Sequence, residues 1–264
     1  MTPSEKYALV LLCTKVDNRM EIGFAGKKAL VTGAGKGIGR EICKALVKGG
    51  AEVYAVSRTQ SDLDSLVTEV PGIHPICLDL QDIDACVGAV SKLQGIQLLV
   101  NNAGFVVLES FLDVTKEAYD QIMDINVKAV LFLSQAVAKN MIASELGGSI
   151  VNISSQASKV ALKDHTVYCA SKGALDQLTR SMAQELGPYN IRTNALNPTV
   201  VWTEMGKKAW SDPQKSASML SKIPLGRFAE MKDVVNATLY LLSDKSDMIN
   251  GTTLPIDGGF LATH

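Results

Sequence analysis

Tyr168 and Lys172 stand four residues apart, a spacing that puts both side chains on one face of a helix. A phenol with a reference pKa of about 10 exchanges protons poorly at neutral pH, and an ammonium beside it stabilises the phenolate. The pair therefore suits general acid–base work on an alcohol or a carbonyl. Taken alone, Tyr-x-x-x-Lys reads as readily as an ordinary surface pair. Context adds weight: Ser155 ends the apolar run 149–155, thirteen residues before the tyrosine, and Asn126 lies in a long apolar stretch upstream. For these two the plainer roles are a strand-end serine and a buried asparagine that satisfies backbone groups.

A second chemistry is written near the start. TGAGKGIG (32–39) falls between an apolar run and a helical pattern. Glycines there permit a tight turn and let backbone N–H groups approach a pyrophosphate, which a helix N-terminus favours electrostatically. Gly33, Lys36, Gly37, Ile38 and Gly39 are the residues expected against a dinucleotide, the alternative being a glycine-rich turn with no ligand. The next strand ends Ser57-Arg58-Thr59, with no acid before Asp62. A carboxylate would repel a 2′-phosphate, whereas Arg58 can fork onto it and Lys36 adds a second positive charge. The expected cofactor is NADP(H), unless Arg58 is only a solvated arginine. Asp79 and Leu80 are expected at the adenine edge. Asn101, Ala103 and Gly104 are expected as the floor under the cofactor, although Asn101 also reads as a turn residue. Pro198, Val201 and Thr203 complete the cofactor set, together with Tyr168 and Lys172.

The elements that must position these groups follow from periodicity. Strands are predicted at 28–32, 51–57, 73–79, 97–103, 149–155, 191–198 and 253–257. Helices are predicted at 38–48, 61–70, 82–93, 122–142, 168–186 and 231–242. Runs such as ALVT, LLVN and SIVN are continuously apolar, as parallel strands buried on both faces require. The alternation predicts a single doubly wound α/β domain of the Rossmann type over 20–264, with a parallel central sheet flanked by helices. Residues 199–230 break the rhythm and are predicted to be a substrate-loop insertion. Helix 122–142 is apolar almost all round, so it must be covered on more than one side, which predicts self-association.

Composition sets the outer limits. Of 264 residues 47% are hydrophobic and 20% charged, enough to bury a large core. Twenty-six basic residues against twenty-seven acidic ones exclude an electrostatic nucleic-acid binder. No apolar run approaches the ~20 residues of a transmembrane helix. The five cysteines (Cys13, Cys43, Cys77, Cys86, Cys169) contain no CxxC pair. They read as reduced core thiols of a cytoplasmic protein, with no metal site. Residues 1–19 read as a poorly ordered extension, with Tyr7–Cys13 too short for most signal-peptide cores.

Taken in order, TGAGKGIG, NNAG, Asn126, Ser155 and Tyr168-x-x-x-Lys172 resemble the short-chain dehydrogenase/reductases, over residues 24–260. Further stretches, AVSRTQSDLDSL (55–66), NPTVVWTEMGKKAWSDP (197–213) and IPLGRFAE (223–230), resemble the dicarbonyl and L-xylulose reductase branch. Thr199 follows Pro198 where many family members have glycine, a departure this branch shares. The resemblance implies that Tyr168 donates a proton to a carbonyl as hydride arrives from the nicotinamide, and that Ser155 polarises the carbonyl oxygen. It implies that Lys172 holds the nicotinamide ribose and lowers the tyrosine pKa. It further implies that Asn126 anchors a water relay behind Lys172, and that the chain forms a homotetramer.

For the substrate, Gln156 and His165 can hydrogen-bond hydroxyls of a small ketose and Trp210 can cover the site, with Ser155 and Tyr168 at the reacting carbonyl. His165 reads equally as a helix-start residue. The expected activity is NADPH-dependent reduction of L-xylulose and α-dicarbonyls. The alternatives are a general carbonyl or 3-oxoacyl reductase, or a nucleotide-binding scaffold protein without catalysis.

Overall fold

A computed structural model describes residues 22–263. The expectations for residues 1–19, and Cys13 with them, lie outside the described residues. Seven parallel strands form one sheet: β1 (Lys28–Thr32), β2 (Glu52–Ser57), β3 (Ile73–Cys77), β4 (Ile96–Asn101), β5 (Gly148–Ile153), β6 (Ile191–Pro198) and β7 (Thr253–Ile256), in the order β3-β2-β1-β4-β5-β6-β7. Helices α1 (Gly37–Lys48), α2 (Gln60–Glu69) and α9 (Met231–Leu242) cover one face. Helices α3 (Ile83–Val90), α5 (Ala129–Ala143) and α6 (Thr166–Leu186) cover the other. The doubly wound α/β expectation is met.

Each face has its own apolar layer because strand side chains alternate. Val31, Val53, Leu98, Val100 and Val151 meet Ile42, Leu46, Leu63 and Val234 on the first face. Leu30, Leu99 and Ile150 meet Val90, Leu133, Val137 and Met141 on the second. The chain leaves β1 for β2 on one side and later returns to place β4 on the other. That reversal opens a crevice at the carboxyl ends of β1 and β4, where doubly wound folds bind ligands.

Several boundaries differ from expectation. Strand β3 stops at Cys77 because Asp79 turns the chain: its carboxylate accepts the N–H of Gln81 at 3.0 Å. Asp82 then caps α3 by accepting the N–H of Ala85. The helix expected from 122 begins earlier, as α4 (Lys116–Met123) capped by Thr115. It runs into α5 through a π-helical turn, Asp124–Lys128. The predicted loop 199–230 contains α7 (Glu204–Ala209) and α8 (Pro213–Leu220), which Thr203 and Asp212 cap. Helix α6 starts at Thr166, two residues early. Cys43 and Cys86 are buried, and burial pushes their thiols up to about 12 and about 11 respectively. Cys77 is exposed, so the core-thiol expectation fails there. Among the described residues no helix is long and apolar enough to cross a membrane, and no His/Cys/Asp/Glu cluster could hold a metal ion.

Candidate active site

The glycine turn is held closed from both strands that flank the crevice. Gly33 (φ +64°) and Gly37 (φ +57°) adopt backbone conformations that side chains with a Cβ disfavour. A Cβ on Gly33 would lie 2.8 Å from Asn102 Nδ2 and 2.9 Å from Ala103 Cα. One on Gly35 would lie 2.8 Å from Ser57 Oγ. Helix α1 opens at Gly37 behind Lys36, with no side-chain cap and no acid in its first turn. Its first N–H groups and positive dipole end therefore suit a pyrophosphate, so the residues present fit a dinucleotide. Thr203 lies across the turn, its Cγ2 3.7 Å from where a Cβ of Gly37 would stand.

The charges expected at the 2′-phosphate are both present, with one addition. Arg58 is exposed at the end of β2. Lys36 is not free: it pairs with Asp62 Oδ2 at 3.2 Å. Asp62 lies five residues past the end of β2 in the chain, but α2 brings it back over the glycine turn.

Asn101 and Asn102 divide their work by strand alternation. Asn101 points to the α5 side, where its Nδ2 donates to Ser134 Oγ (2.9 Å) and to Asn152 Oδ1 (2.8 Å). Its Nδ2 is thus spent within the fold, while its Oδ1 is buried without a partner among the described residues. Asn102 was passed over and is the residue that matters to the turn: its Nδ2 donates to the carbonyls of Thr32 and Gly33 at 3.0 and 3.2 Å. The period-two pattern of LLVNN contained this signal, since Leu98 and Val100 face α1 and Asn102 continues their side. Arg40 was also missed; its Nη1 donates to the carbonyls of Gly35 and Asp62.

The proton-handling set comes together beside this crevice. Ser155 Oγ accepts the N–H of Ala157 at 3.1 Å, which leaves its own proton for the Tyr168 oxygen. Burial pushes the Tyr168 phenol above its usual range, and the Ser155 hydrogen bond works against that. Lys172 Nζ lies 5.6 Å from the phenol ring centre and donates to the Ile153 carbonyl at 2.9 Å. Burial pulls Lys172 down to about 8, opposed by the charge of Asp176. Ser155 also acts to lower the tyrosine, against the effect of burial.

Asn126 sits in the π-helical turn and is fully buried. Its Oδ1 accepts the N–H of Phe105 at 2.8 Å, while its Nδ2 donates to the Phe105 carbonyl and to Ser171 Oγ. A Cβ on Gly104 would lie 3.5 Å from Lys172 Nζ and 3.6 Å from Asn126 Oδ1, so the three residues meet at the end of β4. π-Turns inside helices recur at functional sites.

The substrate candidates separate. His165 stands beside Tyr168, ring centres 6.1 Å apart edge-on, with its Nδ1 2.6 Å from the Lys163 carbonyl. Gln156 is buried in the turn after Ser155, and its Oε1 has no hydrogen-bond partner among the described residues. Trp210 instead packs within the insertion: its ring lies 5.7 Å from Phe228, and the Lys215 ammonium lies 4.7 Å from its centre. Pro198 closes β6 against Ile256, and Val201 bridges to Ala229 at the base of the insertion.

A family model described as enoyl-(acyl carrier protein) reductase matches residues 33–261. The L-xylulose reductase of Mus musculus is 58% identical over 244 residues, 92% of this chain and all of that one. The D-erythrulose reductase of Gallus gallus is 58% identical over 243 residues, 92% of this chain and 99% of that one. A crystal structure of gluconate 5-dehydrogenase from Burkholderia cenocepacia, in complex with NADP and tartrate, is 28% identical and superposes with a TM-score of 0.86, covering 92% and 98% of the two chains.

Proposed function

The chain belongs to the short-chain dehydrogenase/reductase family, and from that premise we propose that it reduces small carbonyl compounds, L-xylulose and α-dicarbonyls such as diacetyl among them, with NADPH. The observation that carries this reading is a buried phenol, Tyr168, beside Ser155 and with its ring centre 5.6 Å from Lys172 Nζ, at the carboxyl end of the sheet. When bound, NADPH supplies the hydride. Tyr168, kept protonated by burial, gives its proton to the carbonyl oxygen. Ser155 directs its O–H at the same oxygen as negative charge develops there, a contribution of several kcal/mol in comparable sites. Lys172 presents its ammonium beside the phenol and to the ribose, and Asn126 fixes the Phe105 backbone behind it.

The glycine turn, Ser57, Thr59, Asp79, Leu80, Ala103, Gly104, Pro198, Val201 and Thr203 form the cradle in this reading, and Lys36 with Arg58 selects the 2′-phosphate. Gln156 and His165 are proposed to meet substrate hydroxyls, with Trp210 in the insertion above them. The description of the family model favours an acyl substrate. Full-length relatives that act on small ketoses, and a buried polar Gln156 next to Ser155, favour the sugar. We further propose a homotetramer working in the cytoplasm, supported by the apolar residues that α5 leaves exposed and by the free thiols.

Oxidation of NADPH followed by absorbance, with diacetyl or L-xylulose, tests the activity. Tyr168→Phe is expected to lose roughly 100- to 10,000-fold of the rate, the range for a positioned proton donor. Equal rates in the two proteins would sink the mechanism, and a faster wild-type rate with NADH would sink the Arg58 argument.

A further inference from the structure

A buried carboxylate beneath the reacting turn takes no part in the steps above. Asp176 lies on α6 one turn beyond Lys172 and is only 2% exposed. Its oxygens face two nitrogen donors and the Ser158 hydroxyl, whose single proton serves either Asp176 or the Ser155 carbonyl. Ser158 Oγ lies 2.7 Å from Oδ2, Asn197 Nδ2 lies 3.1 and 3.0 Å from the two oxygens, and Lys159 Nζ lies 3.1 Å from Oδ2. Asn197 Nδ2 and Lys159 Nζ carry no acceptor, so the Asp176 oxygens are the acceptors in those contacts.

Its partners hold the catalytic turn. Ser158 Oγ and Asn197 Nδ2 also lie 2.8 and 3.1 Å from the carbonyl oxygen of Ser155. Asn197 immediately precedes Pro198, and Lys159 Nζ reaches on to Thr253 Oγ1 of β7 at 2.9 Å. One carboxylate thus ties α6, which carries Tyr168 and Lys172, to the turn that carries Ser155 and Gln156. The turn's own bonds, from Ser158 N–H to the Ser155 carbonyl and from Lys159 N–H to the Gln156 carbonyl, are local and fix only its shape. The tie to α6 fixes its position.

We infer that Asp176 is a positioning residue for the reduction: its carboxylate, through Ser158 and Asn197, locks the Ser155–Gln156 turn against α6 so that the Ser155 and Tyr168 hydroxyls meet in one geometry. This rests on the carbonyl-reductase reading. Wild-type turnover tests that reading, and the variants are judged relative to it.

Asp176→Asn keeps the shape but sets an amide N–H against donors. Ser158→Ala removes one of the two links to the turn and leaves the Asn197 bridge and the Asp176–Lys159 pair intact. Both should lower kcat by about 10- to 100-fold, as small misplacements of reacting groups do, with NADPH affinity, read by fluorescence titration, changed less than about twofold, in the absence of a shared contact. In a Ser155→Ala background the same changes should add little, because the group being positioned is gone. Hydrogen exchange should rise in the segment 155–160 and stay unchanged in β1 and α1. An undiminished kcat in Ser158→Ala, or an equal fold-loss with and without Ser155, would overturn the inference. If Asp176→Asn does not fold, Ser158→Ala with its Ser155→Ala partner decides alone.

Discussion

At the residue scale the site depends on which charges survive burial. Lys172 is a base whose folded pKa, about 8, lies below its ordinary value of 10.5, because burial disfavours the ammonium. The cost to stability is therefore complete below the folded value and is relieved as pH rises towards the unfolded one. Activity moves in the opposite direction, since the ammonium is the working form. We expect kcat/KM for carbonyl reduction to be level below that value and to fall as pH rises through about 8. Lys172→Arg stays charged throughout and should lose that falling limb, whatever its absolute rate. A falling limb that persists unchanged in Lys172→Arg would assign it to another group.

At the element scale the glycine turn is a close-packed joint between β1, α1 and β4. A Cβ on Gly39 would collide with the Gly33 carbonyl and with the Asn102 amide that holds the turn. Backbone cannot give way as a flexible side chain can, so Gly39→Ala should act as overpacking and cost about 1–3 kcal/mol of stability. NADPH binding should suffer more than that global loss suggests, because the displaced atoms are the ones that shape the pyrophosphate cradle. Denaturant melts with fluorescence titration of the same variant separate the two effects; binding at the wild-type level would show the joint to be looser than its packing implies. The π-helical turn is the second such device. The widened turn places Asn126 against the Phe105 backbone and Ser171.

At the scale of the whole molecule, one helix surface has no partner among the described residues. Helix α5 buries Val130, Leu133, Val137 and Met141 beneath the sheet, yet Leu131 and Phe132 remain 38% exposed, with Tyr119 of α4 49% exposed beyond them. The proposed tetramer would cover this surface. Phe132→Glu should then reduce the mass seen by light scattering while leaving the secondary structure intact. A wild-type monomer at micromolar concentration would dispose of the proposal.

Periodicity alone was enough to order the strands and helices along the chain, because alternation of apolar positions and glycine punctuation are local properties of the sequence. The order of Asn126, Ser155, Tyr168 and Lys172 was likewise legible, as was the cationic end of β2. What could not be read were decisions made by residues far apart in the chain: that Asp62 reaches Lys36, and that Asp176 meets Asn197 and Ser158. Sequence spacing reports the direction of a side chain within its own element. Which acceptor lies opposite a given donor, and whether burial or a neighbouring charge governs a proton, depends on how separate elements pack, and only the tertiary structure decides that.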